Sequence, residues 1–213
     1  MLIISSNNIE YYKNMRNIWL RYMNNHPNIT AYFIENDPSI DRDIIVDKEN
    51  NKIYYKDEES YIPGILNKTI KIIEHCLKNY EVDYIYRTNL SSVIDFDKLY
   101  SYIQNNDVDY AGHDYINFIS GSGIILSKKA CKILVEDKNL INNNEPDDVA
   151  IGLKLKKLVK KVHIPYYGIT DLDDKLFNGY NINPNIFQYR CRFANEHNNT
   201  AQVMDKVFRK IYL

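Results

Sequence analysis

Ser120-Gly121-Ser122-Gly123-Ile124-Ile125-Leu126-Ser127 and, further along, Glu145-Pro146-Asp147-Asp148-Val149-Ala150-Ile151-Gly152 decide how this chain is read. The first reads as a glycine-bearing turn feeding a short apolar strand, Gly123 to Leu126. The second reads as an acidic pair at the start of a helix. The chain has seven glycines, and four of them (Gly112, Gly121, Gly123 and Gly152) fall between residues 112 and 152. In a glycine-poor chain, that clustering marks a place where backbone must come close to something.

On either side, short apolar runs alternate with stretches of helical period. Leu2-Ile3-Ile4 is a strand, followed by the polar turn Ser5-Ser6-Asn7-Asn8. Ile9, Tyr12, Met15, Trp19, Leu20 and Met23 have helical spacing. Strands are expected at Ile29–Ile34, Ile44–Val46 and Ile53–Tyr55. Pro63-Gly64 opens a helix with Leu66, Ile70, Ile73 and Leu77 on one face. Val82–Tyr86 reads as a buried strand that stops at the loop Arg87-Thr88-Asn89-Leu90-Ser91-Ser92. Phe96, Leu99 and Ile103 mark a helix, and Val108–Gly112 a strand. A capped helix at Lys128–Leu134, a helix from Asp148, a strand at Val162–Pro165 and a terminal helix from Thr200 complete the order. This alternation predicts one α/β domain spanning residues 1–213, with a mostly parallel, Rossmann-type central sheet flanked by helices. In such sheets ligands sit beyond the carboxyl ends of the strands. That directs attention to Ser5–Asn8, Arg87–Ser92 and Gly112–Gly123.

Composition narrows the function. Hydrophobic content of 45% and charged content of 26% are those of an ordinary globular protein, and a net charge of −1 offers no general attraction for nucleic acid. Cys76, Cys131 and Cys191 are widely separated, without metal-ligand spacing, and read as reduced buried thiols. The first residues lack a basic region, and no stretch is long enough to span a bilayer. The expectation is a soluble cytoplasmic protein. The abundance of Asn, Ile, Lys and Tyr suggests an AT-rich genome.

Several motifs have a plain structural reading. Asp147 and Asp148 can cap a helix start, or one of them can serve as a general base at the mouth of the sheet. Asp95-Phe96-Asp97 reads as an N-cap, Asp107-Val108-Asp109 as a strand entry, and Asp171-Leu172-Asp173-Asp174 as a solvated turn. His163 reads as a core residue, whereas His113, beside Gly112, is a site candidate. Lys154, Lys156, Lys157, Lys160 and Lys161 read as a solvated face. Phe187-Gln188-Tyr189-Arg190-Cys191-Arg192 has little regular pattern; its Arg190 reads either as surface packing or as a phosphate-binding lid.

Taken together, the motifs resemble the β1,3-glycosyltransferase/Fringe family of GT-A enzymes. Gly121–Ser127 is similar to that family's glycine turn and strand, and Asp147-Asp148-Val149-Ala150-Ile151-Gly152 to its acidic helix start. Met15-Arg16-Asn17-Ile18-Trp19, Asn67-Lys68-Thr69 and Tyr110-Ala111-Gly112 resemble further segments, in family order. The resemblance implies an inverting transferase, with a nucleotide-binding half at about residues 1–92 and an acceptor half at about 93–213. It implies a nucleotide-sugar donor, a UDP-sugar first, and a glycan or other hydroxyl acceptor. Asp148, with Asp147, would be catalytic. Ser5, Ser6, Arg16, Lys68, Arg87, Thr88 and Asn89 would face the donor, with Arg190 on its phosphates. His113, Ser120, Gly121, Ser122 and Gly123 would face the acceptor. The family holds a divalent cation, Mn or Mg, on an Asp-x-Asp motif, but here that place reads Arg87-Thr88-Asn89. Arg cannot ligate a cation and Asn is a poor substitute for carboxylate. The chain thus resembles most the small bacterial or viral members lacking Asp-x-Asp, which would place a viral one in the host cytoplasm. Arg87 could neutralise the diphosphate in the cation's stead, with Asn89 as the one candidate ligand if a metal is used. Otherwise the protein would be a non-catalytic glycan-binding or assembly protein. A nucleotidyltransferase is the weaker third reading, because no glycine-rich phosphate loop with a Lys follows the first strand.

Overall fold

Side chains of a strand point alternately to its two faces, so a run such as Leu2-Ile3-Ile4 can fill two cores at once. The computed structural model describes residues 1–6, 10–169, 186–192 and 197–213. In chain order the elements are β1 (Leu2–Ile4), α1 (Glu10–Tyr22), β2 (Tyr32–Asn36), β3 (Ile44–Asp47), β4 (Lys52–Tyr55) and α2 (Gly64–Asn79). There follow β5 (Tyr84–Asn89), β6 (Ser92–Ile94), α3 (Phe96–Asn105), β7 (Tyr110–Asp114), β8 (Ile119–Ser127) and α4 (Lys128–Glu136). The last are α5 (Asp147–Leu155), β9 (Lys161–His163), β10 (Tyr167–Ile169), β11 (Gln188–Cys191) and α6 (His197–Tyr212).

Eight of these strands form one sheet in the order β3-β4-β2-β1-β5-β8-β7-β9, and β10-β11-β6 form a second, small sheet. Pairings β1–β2, β1–β5, β2–β4 and β7–β9 are parallel, while β3–β4, β5–β8 and β7–β8 are antiparallel. The central sheet is therefore mixed. The reversal arises because β7 and β8 are joined by a hairpin, which forces antiparallel pairing. Ile116, in that hairpin, is exposed with φ at 68°.

Helices cover both faces. Ile3, Phe33, Tyr86, Ala111 and Ile125 pack with α1, α3, α6 and the small sheet. Leu2, Ile4, Ile34, Ile85, Ile124 and Leu126 pack with α2, α4 and α5. The buried thiols divide between these layers: Cys191 lies in the first, Cys76 and Cys131 in the second. Local signals place the helix starts as the sequence predicts. Asp95 caps α3 by accepting from Lys98 N, and Ser127 caps α4 by accepting from Ala130 N. Trp19 anchors α1, donating from Nε1 to the Leu90 carbonyl at 2.8 Å and packing edge-on against Phe208 of α6. Leu20, expected on the same buried face, is instead exposed.

Two expectations change. The glycine motif is not a turn: Gly121 and Gly123 lie inside the continuous strand β8, and the turn precedes it. Residues 87–89 are not loop either but the last residues of β5, paired with β1 through Ile4↔Asn89. The small sheet went unforeseen because its strands are three or four residues long and pair with distant segments.

Candidate active site

The carboxyl ends of β1, β2, β5, β7 and β9 and the amino end of β8 share one edge of the central sheet, as the pairing registers require. That edge gathers most of the polar residues singled out in the sequence.

At its middle, Arg87 reaches from β5 under β8. Its Nη2 lies 2.7 Å from Asp147 Oδ2. Its Nη1 donates to Asn89 Oδ1 at 2.9 Å and to the Gly121 carbonyl. Both side chains of the ion pair are buried. Burial pushes the Asp147 carboxyl above the usual carboxylate range, with the Arg87 charge pulling against it. The guanidinium expected to meet a donor is therefore turned inward onto Asp147. Gly121 makes this possible: a Cβ there would stand 2.6 Å from Arg87 Nη1 and 3.0 Å from Asp148 Oδ2. Gly123 does the same for Gln188 and the Tyr86 hydroxyl, which donates to Gln188 Oε1 at 3.0 Å.

Asp148 stands apart from its neighbour. It is half-buried, and its Oδ2 accepts from Gly121 N–H at 2.8 Å, its Oδ1 from Val149 N–H at 2.9 Å. No cation pairs with it among the described residues. One carboxylate of the pair is thus neutralised and enclosed, the other held by backbone and reachable. Around them, Thr88 Oγ1 and Ser92 Oγ both donate to the Ser122 carbonyl, at 2.6 and 2.9 Å. Ser120 and Ser122 hydroxyls lie 3.0 Å apart, and Gln188 Nε2 donates to Ser122 Oγ.

Beside β1 a second network forms. Ser5 Oγ donates to Glu35 Oε1 at 2.7 Å, and Arg16 Nη1 donates to Ser5 Oγ at 3.2 Å and to the Ser6 carbonyl at 2.7 Å. Glu35 is fully buried and also pairs with Lys52 at 3.0 Å. Lys68, buried on α2, donates to the Ser5 carbonyl at 3.0 Å and pairs with Glu59 at 2.7 Å. Burial lowers the Lys68 ammonium's pKa, and Glu59 opposes that. Sequence reading missed Glu35, Glu59 and Gln188. The one signal for Glu35 was an acid closing a β-rich run, which reads as ordinary loop.

At the far end, His113 lies among Tyr115, His163 and Tyr166, with ring centroids 4.4 to 5.2 Å away. Its Nδ1 is buried without a hydrogen bond among the described residues. Burial and the neighbouring His163 lower its pKa. His163, expected in the core, is exposed at the end of β9, where Nδ1 accepts from Asp114 N–H at 3.1 Å. The loop at 171–174 and residues 7 and 8 lie outside the described residues.

The sequence resemblance implies a divalent cation, and the described residues do not fit one. No group of three or more His, Cys, Asp or Glu among them could hold a metal ion. Asn89 Oδ1, the one candidate ligand, already accepts from Arg87. Among the described residues no helix is long and apolar enough to cross a membrane.

No family model matches the sequence, and no curated protein matches it. Among solved structures, a glycosyltransferase involved in the glycosylation of the major capsid of PBCV-1 matches at a TM-score of 0.57 and 10% identity, over 96% of this chain and 98% of that one. The galactosyltransferase LgtC, in complex with donor and acceptor sugar analogues, matches at 0.47 and 9% identity, over 100% of this chain and 96% of that one. By the first of these likenesses, the chain shares the mixed α/β fold of that solved structure.

Proposed function

We propose that this chain is a nucleotide-sugar-dependent glycosyltransferase that works with inversion, Asp148 acting as the base. The observation that carries the reading is the unequal fate of the two carboxylates. Asp147 is enclosed with Arg87, whereas Asp148 is reachable, fixed by the Gly121 and Val149 N–H groups, and free of a cationic partner among the described residues. A base must reach the proton it takes, and only Asp148 meets that need.

In the proposed step an acceptor hydroxyl oxygen forms a bond to the anomeric carbon as the bond from that carbon to the donor diphosphate breaks. The hydroxyl proton passes to Asp148, and the bonding pair leaves with the nucleoside diphosphate. The donor lies at the β1–β5 end, near Ser5, Ser6, Arg16, Thr88 and Asn89. Lys68 and Arg87 support that wall from behind. The acceptor lies toward His113, Ser120, Ser122 and the two β8 glycines. A UDP-sugar is the first donor to try, and the family resemblance is to the β1,3-glycosyltransferase/Fringe group.

Calorimetry with a panel of sugar nucleotides, with and without manganese, tests the donor; no binding under either condition overturns the reading. Asp148→Asn should lower turnover by about 10²–10⁴-fold while donor affinity stays nearly unchanged. Normal turnover in that variant would remove Asp148 from the role. The inward-turned Arg87 favours one other reading, a non-catalytic glycan-binding protein. It predicts oligosaccharide binding with neither transfer nor donor hydrolysis.

A further inference from the structure

The lysine face is the charge run that the proposed chemistry leaves unused. Residues 149–170 contain Lys154, Lys156, Lys157, Lys160 and Lys161 and no Asp or Glu, in a chain whose net charge is −1. Lysine suits the end of a helix, where it meets the carbonyl end of the dipole, and that accounts for Lys154 and Lys156 on α5. It does not account for Leu153 and Leu158, which lie exposed among the lysines, nor for Lys160 beyond the helix.

The β7–β8 hairpin lies against this stretch at both of its ends. Near the start, a Cβ on Gly152 would stand 2.3 Å from Phe118 Cβ and 3.0 Å from the Asn117 carbonyl oxygen, so α5 meets the hairpin without a gap. At the far end, Lys161 Nζ donates to the Ile116 carbonyl at 2.5 Å and pairs with Asp114 at 2.6 Å. The exposed residues in between, Leu153, Lys156, Lys157, Leu158 and Lys160, thus flank a tip whose Tyr115 and Ile116 are also exposed. Ile116 is the least expected of these. A β-branched side chain is a poor choice at a φ of 68°, where Gly or Asn fits readily, and Ile116 is 86% exposed as well. An apolar side chain held outward against both preferences points to a partner that receives it.

We propose that the β7–β8 tip and the adjoining lysine face dock on an anionic lipid surface. Ile116, Leu153 and Leu158 enter the headgroup boundary, and the lysines meet the lipid phosphates. Lysine stems lie along apolar surface while carrying their charge outward, and Tyr115 has the amphipathic ring that suits this depth. Duplex nucleic acid is the poorer fit, because a phosphate backbone gives isolated Ile and Leu tips nothing to bury against. The docking surface does not depend on the glycosyltransferase reading. Where both hold, His113 and Ser120 stand at the foot of the same hairpin, so docking brings the proposed acceptor end of the sheet to the membrane.

The test is cosedimentation of the whole chain with vesicles of phosphatidylcholine alone, and of phosphatidylcholine mixed with phosphatidylglycerol, at low and high salt. Wild type should pellet with the mixed vesicles, far less with the neutral ones, and should be released by salt. Lys156→Gln/Lys157→Gln/Lys160→Gln should weaken binding by about a hundredfold, at roughly fivefold for each charge. Ile116→Asn should weaken it by roughly tenfold. Thermal melting guards against misfolding: Ile116→Asn replaces the strained residue, so it should melt at or above the wild-type temperature even as binding falls. No binding to mixed vesicles, equal binding to neutral ones, or variants that bind like wild type would each overturn the proposal. Binding to duplex DNA but not to vesicles overturns it in favour of nucleic acid. A dimer in light scattering that Ile116→Asn turns to monomer, without vesicle binding, overturns it in favour of a contact between copies. Vesicle binding without sugar-nucleotide binding upholds the docking surface and counts against the transferase reading alone.

Discussion

An arginine enclosed with one carboxylate is costly to separate from it. Arg87 and Asp147 are both buried at 2.7 Å, so each is the other's substitute for water. Arg87→Met should lower unfolding stability by about 3–5 kcal/mol in urea titrations, because it strands a buried carboxylate. Replacing both, Arg87→Met with Asp147→Leu, should recover most of that loss, because no uncompensated charge remains. A single variant as stable as wild type would show that Asp147 is already protonated in the fold. The same contact explains why adjacent aspartates differ: Asp147 is consumed by structure, and Asp148 is left available for chemistry.

At the scale of elements, β8 is where the site is assembled. It runs antiparallel to β5, which lays Gly121 over Arg87 and brings the strand's N–H against Asp148 on α5. Gly121→Ala should displace both side chains, reducing turnover by tenfold or more and costing about 1–3 kcal/mol of stability from overpacking. Steady-state kinetics beside a denaturant curve would check it, and wild-type kinetics would mean the wall yields freely. What was legible in the sequence follows from how local each signal is. Asp95 and Ser127 act within one helical turn of themselves, so both caps could be read. The acidic helix start at Asp147 and the gathering of glycines were legible for the same reason. Arg87 was singled out, but its pairing with Asp147 could not be read, because the two lie far apart along the chain and only the folded sheet brings them together. Strands β6, β10 and β11 were missed because such short strands carry too few residues to show a period, and their pairing is non-local.

At the scale of the whole molecule, the proposed donor and acceptor halves share one sheet, joined through the β5–β8 ladder, with α6 returning to pack on α1. Unfolding should therefore be a single event. Trp19 is the chain's only tryptophan and is wholly buried, so its emission reports that packing. Its transition should coincide with the loss of far-ultraviolet ellipticity, and Phe208→Ala should shift both together by about 3–5 kcal/mol. Separate midpoints would show that the halves melt independently. The three thiols carry a further consequence. Burial pushes all of them upward, Cys191 to about 12, so the nucleophilic thiolate is scarce while the fold is closed. With Cys191 beneath one face of the sheet and Cys76 and Cys131 beneath the other, the chain contains a chemical clock on each side. The order in which alkylating reagents reach them records which helical layer lifts from the sheet first.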